Sequence, residues 1–176
     1  YIGSGVFWGC TGLTSVTISE GVTKIGTSMF YEATALKSIT IPKSVTSIGS
    51  YAFKNCKALK NIGLPEELTK INQHAFVQSG LTGVTIPKSV DFIGIGAFSV
   101  CEQLGSVIME RETPCEVGAN IFGYKISEDV DNRSKFVKEN TKGITVPYGS
   151  LSAYMSAYQT TGYWEPYKDS MKEAPA

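Results

Sequence analysis

Apolar residues recur in this chain at a period far longer than that of a helix or a strand. Phe7, Phe30, Phe53, Phe76, Phe98 and Phe122 lie 23, 23, 23, 22 and 24 residues apart. Leu13, Leu36, Leu59, Leu81 and Leu104 follow the first five of them. An alternating pair comes next: Val16/Ile18, Ile39/Ile41, Ile62/Leu64, Val84/Ile86 and Val107/Met109. Alternation at period two marks a short strand with one buried face, and each pair predicts one. Self-similarity at a fixed long period is the signature of stacked repeats. A complete rung reads from Val45 to Pro65.

The other columns fill in the rung. Pro42, Pro65 and Pro87 follow three of the strands, where a residue without an N–H suits a strand end. A second apolar pair, Val22/Ile25, Val45/Ile48, Leu68/Ile71 and Val90/Ile93, predicts a second short strand. Gly3, Gly26, Gly49, Asn72, Gly94 and Gly118 then form a column. Glycine and asparagine tolerate positive φ, so this column is expected to be a left-handed turn. Residues 50–56 read as a short helical turn that points a small residue and a phenylalanine inward, the small column being Val6, Met29, Ala52, Ala75 and Ala97. One rung cannot bury its apolar side alone, whereas stacked rungs place like residues above like at about 4.8 Å. Six rungs give a body roughly 25–30 Å long at that spacing.

Beyond Glu110 the register persists but loosens. Val117, Gly118 and Phe122 still fit, and Ile144-Thr145-Val146-Pro147 repeats the strand-and-proline step after a polar insertion within residues 124–143. Asp129 and Asp131 in that insertion have the spacing of a calcium loop, but glycine at the sixth position and glutamate at the twelfth are missing. A helix start at Ser150 puts Leu151, Tyr154, Met155 and Tyr158 on one helical face. With Trp164 and Tyr167 it is expected to cap the open end of the stack.

Ile48-Gly49-x-x-Ala52-Phe53-x-x-Cys56-x-x-Leu59, with Ser44-Val45-x-x-Ile48-Gly49 and Ser89-Val90-x-x-Ile93-Gly94, resembles the BspA-type leucine-rich repeat of bacterial cell-surface proteins. The resemblance covers residues 1–109 in five near-copies. It implies a right-handed leucine-rich repeat solenoid of the α/β type, rich in β. Its parallel sheet would form the concave face, with short strands and helical turns on the convex side and a cap at the C-terminus. On this reading residues 1–147 are a solenoid of about six rungs and residues 148–176 a helical, aromatic cap. The chain opens at Tyr1-Ile2-Gly3, in mid-rung, so an upstream part with a signal peptide is expected to have been trimmed.

Charge narrows the function classes. Lys+Arg and Asp+Glu number 16 each among 176 residues. Neither half carries the basic field of a nucleic-acid or anionic-membrane binder, and no apolar run reaches the length that spans a bilayer. Cys10, Cys56 and Cys101 share a column with Ala33 and Ser79. They stand two rungs apart, roughly 9–10 Å by strand spacing, beyond disulfide reach, so free buried thiols are expected. His74, the single histidine, shares a column with Gly5, Ser28, Tyr51 and Gly96 and reads as a water-facing turn residue, with Tyr51 equally outward. Glu66 and Glu67 are neighbours on a turn, not carboxylates facing across a glycosidase cleft. No catalytic, cofactor or metal residues are assigned.

The remaining candidate surface is the outward side of the first strand of each rung. It carries Ser15, Thr17, Lys37, Ser38, Thr40, Lys60, Asn61, Thr82 and Thr85. Phe92 stands separately, where other rungs have Lys24, Ser47 and Lys70, and is a candidate aromatic anchor. The resemblance implies a non-enzymatic surface or secreted module that docks a protein or glycan of host or matrix on the sheet, with no nucleic acid and no membrane insertion. A structural spacer in a larger surface protein is the alternative, and a carbohydrate-binding or carbohydrate-acting protein a more distant one.

Overall fold

A computed structural model describes residues 3–122, 143–147, 149–153 and 171–175. Eleven strands are present among them: β1 (Ser15–Thr17), β2 (Lys24–Ile25), β3 (Ser38–Thr40), β4 (Ser47–Ile48), β5 (Lys70–Ile71), β6 (Gly83–Ile86), β7 (Phe92–Ile93), β8 (Ser106–Met109), β9 (Glu116–Val117), β10 (Ile144–Val146) and β11 (Met171–Glu173). Every pairing is parallel, as a solenoid requires. The register is that of the sequence columns: Val16 opposes Ile39, and Ile25, Ile48, Ile71, Ile93 and Val117 oppose one another in turn.

The strands fall on two flanks. The second strands form one unbroken five-stranded sheet, β2-β4-β5-β7-β9. The first strands form two separate pieces, β1-β3 and β11-β10-β8-β6. The strand predicted at Ile62/Leu64 is not formed, and residues 60–64 run without a ladder between the two pieces. Gly63 stands here where other rungs have Thr17, Thr40, Thr85 and Ile108, and glycine inside a strand weakens it.

Between the flanks lies the core. Phe30, Phe53, Phe76 and Phe98 are fully buried, and Phe7 and Phe122 extend their stack at both ends. Successive ring centroids stand 5.3, 5.3, 5.1, 5.0 and 5.7 Å apart. Offset stacking of this kind adds to the burial of each ring.

The segments expected to be helical turns are not helical. They are runs of turns that alternate their N–H donors. Phe7, Phe30, Phe53 and Phe76 donate to the next rung, at Met29, Ala52, Ala75 and Ala97. Their neighbours Met29, Tyr31 and Ala33 donate three residues back within the same rung. Two positions per rung take positive φ to make this possible. One holds Gly5, Ser28, Tyr51, His74, Gly96 and Asn120; the other holds Gly9, Glu32, Asn55, Gln78 and Val100, and φ lies between 53° and 69° throughout.

Positive φ is therefore displaced from the column where it was expected. Gly49, Gly94 and Gly118 are glycine because of close approach: a Cβ on Gly49 would lie 2.6 Å from the Thr27 nitrogen, and one on Gly94 2.5 Å from that of Gln73. Asn72 occupies the same column with its amide Nδ2 donating to the Ile48 carbonyl at 2.7 Å.

After the insertion the chain rejoins the first flank. β10 pairs with β8 at Ile144↔Val107, as the strand-and-proline step implied. The expected helix start at Ser150 is present over residues 151–153. A feature absent from the sequence reading follows: β11 adds a further parallel strand beyond β10, and its Glu173 carboxylate accepts from the Leu151 N–H at 3.0 Å. Residues 124–142 of the insertion and Tyr154, Met155, Tyr158, Trp164 and Tyr167 lie outside the described residues.

Candidate functional site

The outward row of the first flank is built by strand alternation. In β1 and β3 the central Val16 and Ile39 turn toward the core, which leaves Ser15, Thr17, Ser38 and Thr40 exposed. Thr85 in β6 is exposed likewise, as are Lys37, Asn61 and Thr82 beside the strands. Nine of the ten sequence candidates thus share this flank. Phe92 does not: it sits half-buried in β7 on the other sheet, between Lys70 and Glu116.

The row is small-chained and polar, with Ile108 its exposed apolar member. Lys60 is the least free of the candidates. Its ammonium donates to Gln103 Oε1 at 2.7 Å, reaching past a whole rung, while its carbonyl accepts from the Thr82 N–H and Oγ1 at 3.0 and 3.2 Å.

None of the four cysteines forms a disulfide; Cys56, Cys101 and Cys115 are buried, whereas Cys10, expected to be buried, is only half-buried in the first rung. Cys56 and Cys101 each donate to the carbonyl of the phenylalanine one rung back, Phe30 and Phe76, at 3.1 Å. Burial pushes the Cys56 thiol up to about 12 and the Cys101 thiol up to about 11, the latter opposed by its contact with Ser79. Such groups are protonated packing residues, not nucleophiles.

His74 and Tyr51 are not simply water-facing. Both are half-buried and their rings stack at 5.2 Å. Burial, and then the Lys54 charge, hold the imidazole below its usual range. Its Nδ1 is buried without a hydrogen-bond partner among the described residues. Lys54 also lies over the Tyr31 and Tyr51 rings at 4.9 and 5.7 Å, and Tyr31 meets Trp8 at 4.8 Å. This chain of contacts joins two columns that the sequence shows only separately. Because the rings cover one another's faces, it reads as packing between rungs.

Among the described residues no three His, Cys, Asp or Glu side chains gather as a metal site. No helix among them is long and apolar enough to cross a membrane.

The comparisons with known proteins agree with this geometry. Solved structures of similar shape include a leucine-rich repeat protein of T. pallidum, with TM-score 0.64 and 27% identity over 78% of this chain and 75% of that one. A leucine-rich repeat protein from Bacteroides ovatus aligns with TM-score 0.59 and 23% identity, covering 85% of this chain and 53% of that one. The pneumococcal vaccine antigen PcpA shares the fold at 14% identity and TM-score 0.63, over 92% of this chain and 42% of its own. Among curated proteins none matches. Residues 1–127 match the BspA type Leucine rich repeat region in six copies, and with the columns, parallel ladders and stacked core in place, the chain belongs to that family.

Proposed function

We propose that this chain is a non-enzymatic binding module of a cell-surface or secreted protein, and that it docks a protein or glycan of host or matrix on the outward row of its first flank. The observation that carries this reading is the row itself. Ser15, Thr17, Ser38, Thr40 and Thr85 are exposed at equivalent positions of parallel strands, flanked by Lys37, Asn61 and Thr82. Short polar side chains on a rigid ladder offer hydrogen bonds at little entropic cost, and repetition supplies the area that a stable interface needs. Membership of a repeat family whose members are generally non-catalytic supports the same reading.

The test is a binding screen of the purified chain against matrix proteins and glycans. It is repeated with Lys37, Thr40 and Thr85 changed together to alanine, Lys60 being left in place because it holds Gln103. Loss of the captured partner is expected. Unchanged capture by the triple variant would remove the first flank as the docking surface.

A further inference from the structure

One rung departs from the rest. Phe76 and Leu81 are five residues apart, whereas the other four Phe-to-Leu spacings are six. Aligning the rungs puts the missing residue between Lys57 of the third rung and Glu102 of the fifth, in one column. Where the turn elsewhere closes by a bond from Leu13, Leu36, Leu59 or Leu104 back three residues, Leu81 has no such bond. The shortened chain instead draws in against the rung before it. The Gly80 N–H donates to the Cys56 carbonyl at 3.1 Å, and a Cβ on Gly80 would collide with the carbonyl oxygen of Lys57.

A notch of about 270 Å³ is left on the flank, bounded by Lys57, Gln78, Gly80, Val100, Glu102 and Gln103. Lys57 and Glu102 face it from opposite sides. They belong to the rungs on either side of the shortened one. Among the described residues the side chains of Lys57, Gln78 and Glu102 make no hydrogen bond or ion pair with one another. The Lys60–Gln103 bond bridges the gap on the strand side and holds its wall in place.

We propose that this notch binds a single neutral sugar residue, such as the exposed end of a glycan chain. Its lining offers an ammonium donor, a carboxylate acceptor and amides that do both, the mixture that vicinal hydroxyls satisfy because each hydroxyl donates and accepts. Val100 supplies an apolar patch for the C–H face of a pyranose ring. The volume is just below the range of drug-sized pockets, which gives room for one ring and not for an oligosaccharide. The site stands whether or not the first flank docks a macromolecule, because none of the residues tested there lines it.

The experiment is an amide chemical-shift titration of the whole chain with neutral hexoses and N-acetylhexosamines, and with free amino acids as the zwitterionic alternative. At least one sugar is expected to shift the amides of Gln78, Gly80 and Gln103. Glu102→Ala, an exposed substitution, is expected to weaken that sugar at least tenfold. Inserting one alanine between Ser79 and Gly80, which restores the regular spacing, should abolish it. The Lys37, Thr40 and Thr85 triple variant should bind the sugar unchanged, which separates this site from the docking row. Three results would each overturn the proposal: no shift with any sugar, full affinity in Glu102→Ala, or a response to amino acids alone.

Discussion

The two flanks of this solenoid are made by the same repeat, yet one is continuous and the other is broken. The second sheet runs through five rungs without a gap, while the first divides at residues 60–64. The continuous flank has an isoleucine or valine pointing inward in every rung, beside a glycine or asparagine column pressed onto the previous rung. The broken flank has Asn61 and Gly63 in the third rung and the one-residue deletion in the fourth. Rung length alone does not break a ladder: β5 pairs with β7 across the shortened rung, and β8 with β10 across the insertion.

The core that both flanks share should show the largest effect. Phe53 is fully buried between Phe30 and Phe76 at 5.3 and 5.1 Å, so Phe53→Ala is expected to cost about 3–5 kcal/mol in urea denaturation. Next comes the continuous flank. Gly94→Ala places a Cβ against the backbone of Gln73, and about 1–3 kcal/mol of overpacking cost is expected. A neutral Gly94→Ala would mean that the rungs are not in the close contact described.

Alkaline titration probes the packing beneath the turns. Folded Cys56 has its thiol raised from 9.0 to about 12 and Cys101 to about 11. The unfolded chain therefore ionises first, and stability falls as pH rises above 9. By pH 10 the loss is on the order of 1 kcal/mol per thiol, and Cys56→Ala should remove its share from the slope of stability against pH. The broken flank should respond in the opposite sense. Nothing lies within 4 Å of a Cβ on Gly63, so Gly63→Thr should be neutral or stabilising by up to about 1 kcal/mol. Slowed hydrogen exchange of the amides in residues 61–64 would show that glycine causes the break. Unchanged exchange would place the cause in the shortened fourth rung.

The smallest effect is expected at His74. Burial holds its folded-state affinity for protons below the ordinary value of 6.5, so the unfolded chain binds the proton more readily. Stability is then complete above that value and declines as pH falls below it. Urea midpoints of the parent and of His74→Gln, compared at pH 7 and pH 5, check the sign. A steeper acid decline in His74→Gln than in the parent would reverse it.

The histidine also shows how far the columns could be read. Its column of Gly, Ser, Tyr and His looked unselected for burial, yet the structure gives it positive φ and stacks two of its rings. A column records what each side chain is, but stacking depends on the rung above. Phe92 lies where its column placed it, opposite Lys70 on the second sheet, but its half-burial was not legible in that column. The notch is the converse case. Its signal, the single interval of 22 between Phe76 and Phe98, is present in the sequence, but only folding decides whether a missing residue is closed over or left open.

By itself the sequence determined the period, the phenylalanine stack, the register of both sets of strands and the return of the chain at Ile144. These are translational properties, and a rung that must repeat leaves its spacing in the chain. Three features were settled only by tertiary structure: which glycines serve close approach and which turns take positive φ, the break in the first flank, and the added strand β11. Each depends on how one rung meets the next across about 4.8 Å, and no single rung contains that contact.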